Sequence, residues 1–110
     1  MERINESIEE MDGEPICGGI GSAKDVEAEL KEWVKGFKSE VEVFAGETFD
    51  KKFEPVKYRS QIVAGTNYWF KVDVGDGKYI HVKMFEPLPY TNEPGEVESV
   101  EKGKTLEDPL

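Results

Sequence analysis

Gln61-Ile62-Val63-Ala64-Gly65-Thr66-Asn67-Tyr68-Trp69 is a small-residue turn set between two strand-like runs, and its reading decides the fold. Upstream, Val56, Tyr58, Ser60 and Ile62 alternate with Lys57, Arg59 and Gln61. Downstream, Tyr68, Phe70, Val72 and Val74 alternate with Trp69, Lys71 and Asp73. Period-two alternation marks half-buried strands, so the middle of the block is a hairpin connection. Val63, Ala64 and Gly65 carry little side-chain bulk, and Gly65 adopts positive φ at no steric cost, so backbone leads the protrusion. No side chain at the tip, Val63, Ala64 or Gly65, can act as acid, base or nucleophile.

Working outward, the pattern predicts three antiparallel strands, over residues 48–63 with a bend near Pro55, residues 66–74 and residues 78–85, the last two joined by Gly75-Asp76-Gly77. In the third, Ile80, Val82 and Met84 alternate with Tyr79, His81 and Lys83, so one face packs inward while the other meets solvent. Pro87 and Pro89 end it. After Pro94-Gly95, residues 96–101 add an edge strand whose only large apolar groups are Val97 and Val100. On the amino-terminal side, Val26, Leu30, Trp33, Val34, Phe37, Val41 and Phe44 recur at helical spacing. They predict one amphipathic helix, capped by Ser22 with Asp25 and stopped by Gly46. Gly36 inside it costs about 1 kcal/mol relative to Ala and marks a close approach to the sheet. Trp69 and Tyr79 are expected to stack across strands on the exposed face.

The chain has 110 residues, one domain's worth, burying about 65% of its unfolded surface. Residues 1–15 read as a flexible acidic extension, residues 16–101 as the folded domain and residues 102–110 as a loosely ordered tail. The net charge of −10 argues against nucleic acid or an anionic membrane as partner. A single cysteine, Cys17, excludes an intramolecular disulfide, and the first twenty residues hold no uninterrupted apolar stretch. Neither a secretory signal nor a membrane span is expected, and a cytoplasmic location is. Cys17 is either an exposed thiol or buried against the domain. His81 is the sole histidine. With the cysteine far away in sequence, no metal site, nucleophilic dyad or cofactor site is predicted, and the chain reads as a non-enzyme.

In its middle the chain resembles the cystatins, protein inhibitors of papain-like cysteine proteases, and within them the intracellular stefins. Gln61, Ile62, Val63, Ala64 and Gly65 fill the family's Gln-Val-Val-Ala-Gly motif with one conservative change, and Thr66-Asn67-Tyr68 continues the stefin version of the next strand. Cys17-Gly18-Gly19 near the amino terminus and Leu88-Pro89 in a later hairpin loop are two further markers in the family's order. The resemblance covers roughly residues 16–91. It implies an α+β fold, a cystatin-like antiparallel sheet of four to five strands wrapped around one long α-helix. It also implies a reversible, tight-binding, competitive inhibitor whose partners are papain-like proteases of the cathepsin L, B, H and S type.

The same resemblance assigns roles. Ile16 and Cys17 would enter the non-primed substrate pockets, with Gly18 and Gly19 turning the backbone away. Gln61 to Gly65 would lie across the catalytic cleft, and Leu88, Pro89 and Tyr90 would touch the primed side. A monomer is expected, with a domain-swapped dimer through the first hairpin as the alternative state. Without the family, each marker has a plainer reading: a hairpin turn, a glycine linker, a strand terminator. The rival function is a non-inhibitory binding module that recruits a partner at a sheet edge.

Overall fold

The structure, a computed structural model, describes residues 20–110. Its elements run β1 (Lys24–Asp25), α1 (Ala28–Lys35), α2 (Lys38–Ala45), β2 (Glu54–Val63), β3 (Gly65–Gly75), β4 (Lys78–Glu86), a 3₁₀ turn (Pro89–Thr91) and β5 (Glu96–Lys104). The strands form one antiparallel sheet in sequence order, β1-β2-β3-β4-β5. The helices pack on one face, so the α+β architecture that the family resemblance implies is the one found.

Period-two patterning places the core as read. Phe70 and Val72 on β3 and Ile80, Val82 and Met84 on β4 turn the same way and are fully buried, with Val97 of β5 beside them. Each such side chain contributes roughly 1.5–3 kcal/mol by leaving water. Val34 of α1 and Val41 and Ala45 of α2 close the core from the helix side.

The single helix over residues 22–46 is corrected in three ways. First, it is two helices. Gly36 remains helical, at φ −65° and ψ −17°, but Phe37 departs to φ −103° and ψ 12°. The Phe37 N–H donates three residues back to Val34, at 2.9 Å, and the four-residue ladder resumes only from Val41 N–H to Phe37. A tightened turn of this kind kinks a helix. Second, Ser22 and Asp25 do not cap it. Gly21 and Val26 donate their N–H groups to the carbonyls of Ser60 and Val56, and Lys24–Asp25 pairs with Tyr58 and Lys57 as a short edge strand. Asp25 spends its carboxylate on Lys57, and the helix starts after Glu27. Third, Phe44 is half exposed, because after the kink Val41 and Ala45 face the core instead.

The first strand begins at Glu54, not near Thr48. Residues 48–53 are a loop that inserts Phe49 and Phe53 into the core, stacked 6.3 Å apart, and the expected bend near Pro55 is a register shift between Pro55 and Lys57. The edge strand runs to Lys104, three residues beyond its expected end. Beyond it the chain folds back over the outer face, where Lys71 Nζ donates to the carbonyls of Thr105 (2.9 Å) and Asp108 (2.5 Å) and Arg59 Nη1 to that of Leu110 (3.0 Å). Lys71, bonded to that segment, is buried, and so is its neighbour His81, although both were expected to meet solvent. Trp69 and Tyr79 do not stack on each other. Register sets Trp69 opposite Arg59 and Lys83, and Tyr79 opposite Asp73 and Lys104. Each ring has a lysine over it instead, Lys83 at 5.5 Å and Lys71 at 5.9 Å.

Candidate functional site: one end of the sheet

Meander topology brings the β2–β3 hairpin tip and the β4–β5 loop to the same end of the sheet. Val63 pairs with Gly65, leaving Ala64 alone at the apex, and Ile62 pairs with Thr66, which on its other side faces Glu86, the last residue of β4. Ile62 is 66% and Val63 45% exposed, and Ala64 is exposed between them. Apolar groups are thus held out in water by a paired backbone.

Gly65 explains how the tip is held. It is buried, at φ +126°, a region costly for any residue with a side chain. A Cβ there would lie 2.6 Å from the Glu86 carbonyl oxygen and 2.6 Å from the Phe85 ring. The first hairpin therefore rests directly on the backbone that leads into the second loop. Gln61 and Asn67, opposite each other below the tip, join through Asn67 Nδ2 donating to Gln61 Oε1 at 3.3 Å.

The second loop is folded by its own residues. Leu88 precedes the 3₁₀ turn, and its carbonyl accepts from the Thr91 N–H (3.0 Å) and the Thr91 hydroxyl (2.8 Å). Asn92 takes the left-handed conformation at φ 57°, tolerable for asparagine, and reverses the chain. Leu88 is half-buried, Pro89 is exposed, and Tyr90 is 80% exposed. Gly95, at φ +90°, closes the loop where a Cβ would sit 2.9 Å from the Trp33 ring and 3.0 Å from the Phe85 carbonyl.

Trp33 ties helix, sheet and loop together. Its ring lies 5.5 Å from Phe37 and from Tyr68 and 6.3 Å from Phe70, and Tyr58 lies 6.0 Å from both Tyr68 and Phe70. Tyr68 reaches toward Glu86 Oε1 at 3.5 Å, and burial, then that carboxylate, raises its phenol above the ordinary value near 10. It stays a neutral donor at physiological pH.

A third chain segment approaches this end. Gly21 donates to Ser60 O at 3.0 Å and accepts from Arg59 Nε at 2.7 Å, running antiparallel to β2 toward Ile62. Ile16, Cys17, Gly18 and Gly19 lie outside the described residues. The structure thus brings together Gln61 to Gly65 with Leu88, Pro89 and Tyr90. Phe85, Gly95, Trp33 and Arg59 are supports that sequence reasoning missed. Pro94-Gly95 signalled a turn, but nothing in the sequence placed Arg59 against Gly21.

Among the described residues no group of three or more His, Cys, Asp or Glu side chains is placed to hold a metal ion, and no helix is long and apolar enough to cross a membrane. A cleft of about 720 Å³ lies at the opposite end, by the β3–β4 turn, where Lys51 and Lys102 pair with Asp76 (2.6 Å) and Glu47 (3.2 Å). It shares no residue with the two loops.

A family model described as the cystatin domain matches residues 18–107. The chain belongs to the cystatin family. This cystatin is 42% identical over 93 residues to Cystatin-A1 of Sus scrofa, covering 84% of this chain and 89% of that one. It is 41% identical over 95 residues to Cystatin-A of Homo sapiens, covering 86% and 96%. Over 97 residues it is 36% identical to Leukocyte cysteine proteinase inhibitor 1 of Sus scrofa, covering 88% and 93%. The resemblance to the stefin type read from Gln61 to Tyr68 agrees with these relatives.

Proposed function

We propose that this cystatin is a reversible, competitive protein inhibitor of papain-like cysteine proteases, working in the cytoplasm on enzymes of the cathepsin class, and not an enzyme itself. The observation that carries this reading is the exposed apolar tip, Ile62, Val63 and Ala64, held on a paired hairpin beside Tyr90. A protease of this type keeps a thiolate and an imidazole at the bottom of a cleft, and a wedge led by backbone fills that cleft by shape. Val63 and Ala64 take the centre of the contact, where interface energy concentrates, and Pro89 and Tyr90 extend it on one side. No carbonyl of the tip is offered in attack geometry, so the thiolate is covered and not acylated. The strands already fix the tip and Thr91 fixes the second loop, so docking orders few further bonds.

The amino-terminal segment supplies the third contact. Ile16 and Cys17 fill the neighbouring substrate pockets, and Gly18 and Gly19 let the chain turn out. Gly21, bonded to Ser60 and Arg59, brings the chain to the wedge. A chain shortened to begin at Gly19 is expected to bind a papain-like protease 10- to 1000-fold more weakly, the loss of about 1.4–4 kcal/mol of contact. Its unfolding midpoint is expected to match the full chain's, because the core starts at Val26. Inhibition constants and denaturation curves of the two forms check both halves of this statement. Equal affinity would remove the amino-terminal segment from the site.

A further inference from the structure

A row of polar groups crosses the outer face of the sheet, Lys57 on β2, Lys71 on β3, His81 on β4 and Glu101 on β5, each opposite the next. Lys71 and His81, at its centre, are 4% and 9% exposed. Lys71 owes its burial to the carboxyl-terminal segment, whose Thr105 and Asp108 carbonyls it binds, and the segment's far end is held by Arg59 through the Leu110 carbonyl. That segment is closed on itself, Thr105 N–H donating to Asp108 Oδ2 at 2.7 Å and Asp108 N–H to the Thr105 carbonyl at 3.3 Å. Opposite Lys71 on the neighbouring strand, His81 Nε2 is buried without a hydrogen-bond partner among the described residues.

A buried polar atom without a partner needs an explanation. A neutral ring tolerates the position, since an unprotonated Nε2 asks only for an acceptor's share of hydrogen bonding. A protonated ring does not, because it places a second N–H and a positive charge next to the Lys71 ammonium. We propose that the carboxyl-terminal strap is latched by His81: residues 105–110 stay docked while the imidazole is neutral and lift away when it takes up a proton.

The charged groups around the ring favour this. Burial first, then Lys71 on β3 and Lys104 on β5, disfavour the imidazolium, while Glu101 on β5 and Asp108 in the strap favour it more weakly. The net direction is downward from the ordinary histidine value near 6.5. Linkage gives the sign: the lifted state binds the proton more readily, so docking is fully favoured above about pH 6.5 and weakens as pH falls from there through the docked-state value. Asp108 does not share the window. Its carboxylate, held by the Thr105 N–H, titrates below 3.8. Lys71 is pushed downward from the ordinary lysine value by burial, with Asp108 and Glu107 opposing.

The latch is independent of protease inhibition, and its test contains no protease. Exchange protection of the Lys71 ammonium protons, which the Thr105 and Asp108 carbonyls accept, normalised for intrinsic exchange, reports the docked-to-lifted ratio of the full chain. Between pH 7 and pH 5 the ratio is expected to fall about tenfold in the parent chain. It should change by less than about twofold in His81→Gln and His81→Phe, which do not titrate. The glutamine variant keeps a polar side chain of similar size and answers the question if the phenylalanine variant folds poorly. A parent chain whose protection is flat over this range, or a variant that loses protection as the parent does, overturns the latch.

Discussion

Val63→Asp is expected to raise the inhibition constant against a papain-like cysteine protease by roughly three orders of magnitude, about 4 kcal/mol, and to leave the fold untouched. Val63 pairs with Gly65 at the hairpin tip and is 45% exposed, outside the core cluster. In the free protein an aspartate there keeps its hydration, so the stability change belongs to the ordinary surface range, within about 0.5 kcal/mol. In the proposed complex the same side chain sits at the centre of a water-excluding contact. It then loses both an apolar contact and the solvation of a charge, and several kcal/mol is the usual consequence of burying an ion without a partner. Inhibition constants beside thermal unfolding of the same samples separate the two effects. If the variant inhibits as well as the parent, the tip is not in the cleft.

Gly65→Ala is expected to act in the opposite way, through the fold first. At φ +126° a methyl group is strained, by about 1–3 kcal/mol. The Phe85 ring can swing aside from a Cβ 2.6 Å away, but the Glu86 carbonyl at the same distance is backbone and belongs to the β3–β4 ladder. Overpacking of this kind adds about 1–3 kcal/mol. A total of about 3 kcal/mol lowers the melting temperature of a domain this size by roughly 15 °C. It also separates the first hairpin from the second loop, so inhibition weakens with stability. An alanine variant that melts with the parent would mean that this close approach does not position the tip.

These two residues show what a sequence discloses and what it withholds. Tyr68 to Val74 and Tyr79 to Met84 disclosed their strands because one face of each is apolar, and the period of two survives any tertiary detail. The positive φ of Gly65 was legible as turn chemistry. Its second reason, the Phe85 and Glu86 backbone lying against it, depends on a strand twenty residues away and leaves no local mark. Gly36 suggested a close approach, whereas the deviation fell on Phe37, whose N–H bonds three residues back. Pairing with β2 overrode the local capping preference of Ser22 and Asp25, since a sheet partner satisfies the same backbone donors more fully. Outer-face residues were the hardest to read. Lys71 and His81 sit at polar positions of a clean alternation, yet both are buried, Lys71 against the returning carboxyl-terminal segment whose carbonyls it binds. For the site, the apolar tip and the Leu88-Pro89-Tyr90 loop were named from the sequence. Their supports, Arg59 on Gly21 and Trp33 on Gly95, are long-range contacts and were not.

The account rests on a wedge that closes a protease by fit and undergoes no chemistry. Titration of an active-site-counted papain-like cysteine protease with the folded full-length chain tests this most directly. The predicted result is a linear loss of activity that reaches zero at one inhibitor per enzyme, with activity returning on dilution and the chain recovered uncut. Full activity at saturating amounts of folded chain, or a chain recovered cleaved within Gln61 to Gly65, would contradict it.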